Sequence, residues 1–111
     1  MGLIPLNIPD GWNVMWNHFS EIDDVESLDP NNEKEWLFLV EDISLFRRFK
    51  IEGKDDIDID LGWYPEDDPN GTFKIYVIRN YDWNSPEQIF CSRSNKEISN
   101  KLQELFDKYT L

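Results

Sequence analysis

The chain has 111 residues, and its 23 Asp and Glu residues against 11 Lys and Arg residues give a formal net charge of −12 at pH 7. This excess argues against binding nucleic acid, because few cations are available to replace the counterions of a polyanion. The length suits one hydrophobic core, and 40% hydrophobic with 14% aromatic residues places the chain outside the disordered class. We therefore treat residues 1–111 as a single acidic domain, whose charge suggests a basic partner.

Cysteine content and hydropathy indicate the cellular compartment. Cys91 is the single cysteine, so no internal disulfide can form and an oxidising compartment is not required. The longest fully apolar run, Trp36 to Val40, is too short to cross a bilayer. The first six residues lack the basic start and long apolar stretch of a signal peptide. We expect a cytoplasmic protein that does not enter a membrane.

The first half of the chain predicts strands and contains one ambiguous region. Residues 12–17 alternate Trp or Val with Asn or Met after a turn at Pro9-Asp10-Gly11, which favours a strand. The pattern of Glu33 to Lys50 fits either a helix or buried strands. We favour strand character that breaks around Glu41-Asp42 and resumes from Ile43 to Phe49.

The middle of the chain predicts a hairpin. Strict alternation from Ile57 to Leu61 places three aliphatic side chains on one strand face and two aspartates on the other. We expect the aliphatic face to lie in the core and the aspartate face in solvent. A second strand is predicted over Thr72 to Ile78, after two prolines and an Asn70-Gly71 pair with turn chemistry. Because Tyr76 and Ile78 lie opposite the core face, we expect that outer face to be partly covered.

The end of the chain predicts one more strand and a helix. The strand is expected from Gln88 to Arg93, after a break at Asn84-Ser85-Pro86. Ser94-Asn95-Lys96-Glu97 has capping-box spacing, in which the serine hydroxyl and the glutamate carboxylate each accept a backbone N–H of the first turn. One helical stripe of apolar residues follows: Ile98, Leu102, Leu105, Phe106 and Tyr109. The predicted fold class is α+β, a mainly antiparallel sheet of four to five strands with the C-terminal helix packed on one face.

Several arrangements that could carry chemistry are weak. The alternate aspartates from Asp56 to Asp60 have the spacing that opens an EF-hand loop, but Leu61 stands where that loop needs glycine. His18 has no orienting partner or nucleophile specified by the sequence, and Cys91 is expected to be a small buried thiol. We expect no metal, no cofactor and no enzymatic activity. A small carboxylate-dependent hydrolase is an alternative, because the distance between two carboxyl groups depends on the tertiary structure.

The densest cluster of carboxylates lies between Asp55 and Asp68, where seven of them accompany two large aromatic residues. Aromatic anchors among carboxylates are typical of a surface that binds a basic protein. The predicted contact residues are Asp58, Asp60, Trp63, Tyr64, Glu66, Asp67 and Asp68. The two aromatics can equally be core residues of the hairpin, and we expect this of at least one of them.

A family resemblance rests on most of the chain. It is carried by Gly11-Trp12-Asn13-Val14 and Asn17 to Asp23, by Ile57 to Glu66 with Asn70 to Lys74, and by Trp83-Asn84-Ser85-Pro86 with the terminal helix. These stretches resemble small bacterial immunity proteins of contact-dependent growth inhibition and related polymorphic toxin systems. The resemblance implies a protein that binds the C-terminal toxin domain of a cognate effector inside the producing cell and blocks its active site or substrate path.

The predicted function is thus an immunity protein that neutralises a toxin domain by stoichiometric occlusion through an acidic surface. Many such toxins are nucleases, and the resemblance therefore implies a basic nuclease as the partner. Two alternatives stay open at the level of sequence: the carboxylate-dependent hydrolase, and an acidic adaptor that binds a basic peptide along a strand edge.

Overall fold

Five strands and one helix form the described part of the chain, which comprises residues 6–19, 43–48, 55–65, 68 and 70–110 of a computed structural model. The strands are β1 (Trp12–Asn17), β2 (Ser44–Arg48), β3 (Ile57–Tyr64), β4 (Thr72–Arg79) and β5 (Gln88–Ser92), and the helix is α1 (Asn95–Tyr109). Each strand pairs antiparallel with its neighbour in sequence, and α1 contacts β5. The predicted α+β class is confirmed. No helix in this part of the chain has the length and apolar character needed to cross a membrane.

The predicted strands are confirmed, with differences at their ends. β3 runs three residues past the predicted end at Leu61, because Trp63 continues the apolar alternation and pairs with Phe73 on β4. β2 covers most of the strand expected from Ile43 to Phe49. The rest of the ambiguous region, residues 33–42 with 49–50, lies outside the described residues.

One face of the sheet and α1 enclose the main core. All five residues of the predicted helical stripe are buried. Phe106 on α1 packs edge-on against Trp12 and Phe46, with ring centroids 5.3 and 5.1 Å apart. Farther along the same face, Trp63 packs edge-on against Phe73 at 4.9 Å. Aromatic contacts on this face therefore involve residues of β1, β2, β3 and β4.

The start of α1 uses the predicted N-cap with one change. The Ser94 hydroxyl accepts the Glu97 backbone N–H at 3.2 Å, as the capping box requires. The carboxylate of Glu97 reaches back only indirectly: it accepts the Ser92 hydroxyl at 2.7 Å, and Ser92 Oγ accepts the Ser94 N–H at 3.0 Å. A second serine, Ser92, thus makes the link to the Ser94 backbone N–H that the capping box was predicted to make through Glu97 directly.

The opposite face of the sheet is also buried at its centre, so the predicted solvent exposure of the aspartates is wrong. Asp58 and Asp60 are 1% and 7% exposed, and Leu45 and Ile78 on the adjacent strands are 6% and 0% exposed. The expected partial cover of this face at Ile78 is confirmed. The alternation in β3 therefore separates two buried environments, one apolar and one containing carboxylates.

Candidate protein-binding surface

The predicted contact residues do not form one surface. At about 3.3 Å per residue, the eight residues of β3 extend over roughly 25 Å. Asp58 and Asp60 are buried in the first half of this strand, whereas Tyr64 lies at its end and Asp68 in the turn that follows. Glu66 and Asp67 lie outside the described residues. The spacing along β3 thus distributes the acidic cluster over the length of the sheet.

Asp58 is engaged in an internal ion pair. Arg47 on β2 donates from Nε to Oδ1 at 2.7 Å and from Nη2 to Oδ2 at 2.9 Å. This hydrogen-bonded contact is the main cause that raises the pKa of the Arg47 guanidinium above its ordinary value. Because Asp58 is 1% exposed, the bidentate contact compensates for desolvation of its carboxylate. Asp58 therefore joins two strands and is not presented to a partner.

Trp63 faces the main core, as expected of at least one of the two predicted aromatics. It is 0% exposed, and its Nε1 donates to the carbonyl oxygen of Asp68 at 2.8 Å, which ties the turn to the end of β3. Tyr64 points to the other face and is half-buried, edge-on to Tyr76 at 5.8 Å with Lys74 Nζ 5.7 Å from its ring centroid. Of the predicted contacts that the structure describes, Tyr64 and Asp68 keep partly accessible side chains.

The two most exposed aromatic residues of the described chain both lie in the β4–β5 loop, which we define as residues 80–87. Tyr81 and Trp83 are 47% and 48% exposed, and Asp82 between them is exposed as well. The sequence predicted this segment only as a break before β5. The missed signal was a Tyr-Asp-Trp run beyond the end of β4, where no strand alternation directs the aromatic rings into a core.

The backbone of the β4–β5 loop begins with a tight turn. The Asp82 N–H donates to the carbonyl oxygen of Arg79 at 3.1 Å, and the two central residues, Asn80 and Tyr81, have φ angles of 51° and 62°. These features correspond to a type I′ turn, whose second central position favours glycine. A tyrosine in this left-handed region costs about 1 to 2 kcal/mol. The Trp83 N–H donates to the carbonyl oxygen of Tyr81 at 3.0 Å, so the next turn positions Trp83 as well.

The side chain of Tyr81 is held in place by two contacts to neighbouring strands and segments of the sheet, with Asp56 and with Arg47. Its hydroxyl donates to Asp56 Oδ2 at 2.6 Å, and the Arg47 guanidinium lies 5.0 Å from its ring centroid. The hydrogen bond to Asp56 is the main cause that raises the pKa of the Tyr81 phenol above its ordinary value. Asn80 exchanges two hydrogen bonds with the backbone of Asp56, at 2.9 and 3.2 Å. The other carboxylate oxygen of Asp56, Oδ1, is buried and accepts no hydrogen bond from the residues that the structure describes.

The charges around the β4–β5 loop are mainly negative. Arg79 pairs with Asp55 at 2.8 Å and, from Nε and Nη2, with both carboxylate oxygens of Glu87 at 2.8 and 3.2 Å. The hydrogen bonds from Arg79 and then Tyr109 lower the pKa of the Glu87 carboxyl, with a smaller contribution from the charge of Lys108. The loop and the side chains paired with it carry five carboxylates, namely Asp55, Asp56, Asp58, Asp82 and Glu87, against the guanidinium groups of Arg47 and Arg79.

Further exposed apolar side chains lie on the first and last strands of the described sheet, at Val14, Met15, Trp16 and Ile89. Cys91 on β5 is exposed, so its predicted burial is wrong. The reason is its position: β5 pairs with β4 on one side and is the last strand of the described sheet. Within the described ranges, no group of three or more His, Cys, Asp or Glu side chains is arranged to hold a metal ion.

No protein-family model matches the chain, and no curated protein or solved structure matches it with significant similarity. The net charge of the chain and the geometry of its exposed residues are therefore the basis for assigning a function.

Proposed function

We propose that this chain is an immunity protein, which binds the toxin domain of a cognate effector in the cytoplasm and neutralises it stoichiometrically rather than by catalysis. The partner we propose is a basic nuclease domain. The observation that carries the proposal is the net charge of −12. A nuclease groove that attracts the phosphates of its substrate also attracts an acidic protein, and complementary charge accelerates association.

Exposed aromatic residues support the proposal, because charge alone gives fast encounter but little residence time. Most of the binding energy of a protein interface comes from a few buried anchors, commonly Trp, Tyr and Arg. Tyr81 and Trp83 are each about half exposed on an acidic loop, and Tyr64 is partly accessible at the opposite end of the sheet. An acidic surface with such anchors suits an inhibitor that remains bound.

Of the contacts predicted from sequence, Tyr64 and Asp68 stay in the proposed interface. Glu66 and Asp67, which lie outside the described residues, stay predicted contacts. Asp58, Asp60 and Trp63 are buried, and they support the interface through the fold. Asp68 is suited to a test, because its Oδ1 accepts the Asn70 N–H at 2.9 Å and an asparagine retains an acceptor there. We expect Asp68→Asn to slow association at low salt without changing dissociation. Unchanged association would remove the turn from the interface.

The function itself is tested by co-expression. The toxin domain encoded directly upstream is produced in cells that carry this chain, cells that carry an unrelated acidic protein of similar size and charge, or cells that carry neither. We expect growth only with this chain, and a one-to-one complex by calorimetry with the purified domains. If the toxin still kills cells that contain the folded chain, the proposal is wrong. If the unrelated acidic protein rescues growth equally well, the protection is a non-specific effect of charge.

A further inference from the structure

We propose that the β4–β5 loop is the principal anchor for the partner: Tyr81 and Trp83 enter a cation-lined groove on a basic protein, and Asp82 pairs with a Lys or Arg of that groove. The inference rests on the proposed function, because the basic protein is the toxin domain. It goes beyond that function by assigning the contact to a loop that lies at the opposite end of the sheet from the turn predicted from sequence.

The backbone of Tyr81 supports this assignment. Its φ of 62° lies in the left-handed region, at the turn position where glycine is favoured. The ring is not part of the core: it is 47% exposed and contacts Asp56 and Arg47 instead. Strained conformations are concentrated at binding and catalytic sites, where the surrounding structure holds them. Here the hydroxyl bond to Asp56 and the Arg47 guanidinium over the ring face fix the position of the ring.

Pre-organisation makes these two rings better anchors than the other exposed apolar side chains. Ordering flexible groups on binding reduces affinity, and a loop that is already ordered avoids much of this cost. The consecutive turns at Arg79–Asp82 and Tyr81–Trp83 order the backbone on both sides of Asp82. Val14, Met15, Trp16 and Ile89 are also exposed, but they lie on the first and last strands of the described sheet, and Trp16, the aromatic residue among them, is less exposed at 38%.

Charge complementarity determines the chemistry of the partner. The two guanidinium groups near the loop are already engaged, Arg47 with Asp58 and Arg79 with Asp55 and Glu87. Asp82 is exposed between the two rings. An apolar partner would remove water from this carboxylate without replacing it, which is costly, whereas a Lys or Arg would pair with it. The loop therefore fits a groove in which cations flank space for two aromatic rings.

The experiment compares variants of the full chain for affinity to the upstream-encoded toxin domain, by calorimetry and surface plasmon resonance, and for urea unfolding. The loop variants are Trp83→Ala, Tyr81→Gly and Asp82→Asn. The matched controls are Ile89→Ala, an exposed apolar residue on β5, and Glu104→Gln, an exposed carboxylate on α1. We expect Trp83→Ala and Tyr81→Gly each to raise Kd at least tenfold through faster dissociation, and Asp82→Asn to raise Kd several-fold. Both controls should stay within twofold of wild type.

Tyr81→Gly separates binding from folding. Glycine relieves the left-handed φ but also removes the hydrogen bond to Asp56, so we expect the midpoint of urea unfolding to stay close to that of wild type while affinity falls. A lower midpoint with unchanged affinity would assign Tyr81 to stability and overturn the inference. If the loop variants have the Kd of wild type, or differ from it by no more than the controls do, the inference is overturned while the proposed function stands. If the wild-type chain does not bind the toxin domain, the proposed function fails and the inference with it.

Discussion

The two connections of the β3–β4–β5 meander have similar compositions, but the tryptophan beside one is buried and the tryptophan in the other is exposed. Residues 65–71 and the β4–β5 loop both combine acidic residues with proline and asparagine next to tryptophan. Trp63, before the first connection, is 0% exposed, whereas Trp83 in the second is 48% exposed. Trp63 anchors its turn from inside through Asp68, and Trp83 projects from a loop whose ordering comes from backbone turns.

The difference comes from strand alternation rather than from composition. Trp63 continues the alternate positions of Ile57, Ile59 and Leu61, all of which face the main core. Trp83 lies four residues beyond Arg79, the last residue of β4, where the backbone has left the sheet. Acidic and aromatic composition therefore does not by itself decide whether a tryptophan ring is buried or exposed; its position relative to the strand alternation does.

The largest expected effect concerns the two tryptophans themselves. Trp63→Ala removes a fully buried ring from the core beside Phe73 and should lower the free energy of unfolding by about 3 to 5 kcal/mol. Trp83→Ala removes a ring that is 48% exposed and should change it by about 0.5 kcal/mol or less. Urea unfolding of both variants measures the difference. Equal losses would mean that the β4–β5 loop is part of the core, and the contrast between the two connections would be lost.

The second prediction concerns Arg47, which connects the buried centre of the sheet to the β4–β5 loop. Arg47→Ala leaves the buried Asp58 carboxylate without its bidentate partner and should cost about 3 kcal/mol. It also removes the guanidinium that overlies the Tyr81 ring. The double variant Arg47→Ala/Asp58→Ala should recover much of the loss, because it leaves no unpaired buried charge. A double variant as unstable as the sum of the two single variants would contradict this pairing.

Most of the fold could be predicted because strand alternation and the helical stripe are local patterns. The burial of Asp58 could not, since it depends on Arg47, which is brought opposite by the register of β2 on β3. The exposure of Cys91 depends on β5 being the last strand of the described sheet, which is a property of topology. The conformation of Tyr81 could not be predicted for another reason. Type I′ turns are recognised in a sequence by glycine at the second central position, and here tyrosine occupies that position.

The third prediction tests how tightly the β3–β4 turn packs, with two glycines of different character. A Cβ on Gly71 would lie 2.6 Å from the Tyr64 carbonyl oxygen and 2.7 Å from Trp63 Nε1. Because backbone atoms cannot move aside easily, Gly71→Ala should lower the free energy of unfolding by about 1 to 3 kcal/mol. Gly11, with a φ of +95° and no atom within 4 Å of the added Cβ, is the control. Gly11→Ala meets only backbone strain and should cost about 1 kcal/mol. A Gly71 variant no less stable than the Gly11 variant would mean that the turn is loosely packed.

The smallest effect is expected at Glu87, where the β4–β5 loop ends. The hydrogen bond from Arg79 is the main cause that lowers the pKa of this carboxyl, so its stabilising contribution is present above the ordinary value of 4.5 and is lost as the pH falls through the lower folded value. The contribution is small because the pair is partly exposed and Arg79 keeps Asp55 as a second partner. Urea midpoints of wild type and Glu87→Gln should therefore differ at pH 7 and converge toward pH 3. Glu104→Gln, on the exposed face of α1, should run parallel to wild type, because its partner Lys101 forms only an exposed ion pair. A difference between wild type and Glu87→Gln that persists at low pH would assign the role of Glu87 to side-chain packing, and the base of the β4–β5 loop would not depend on charge.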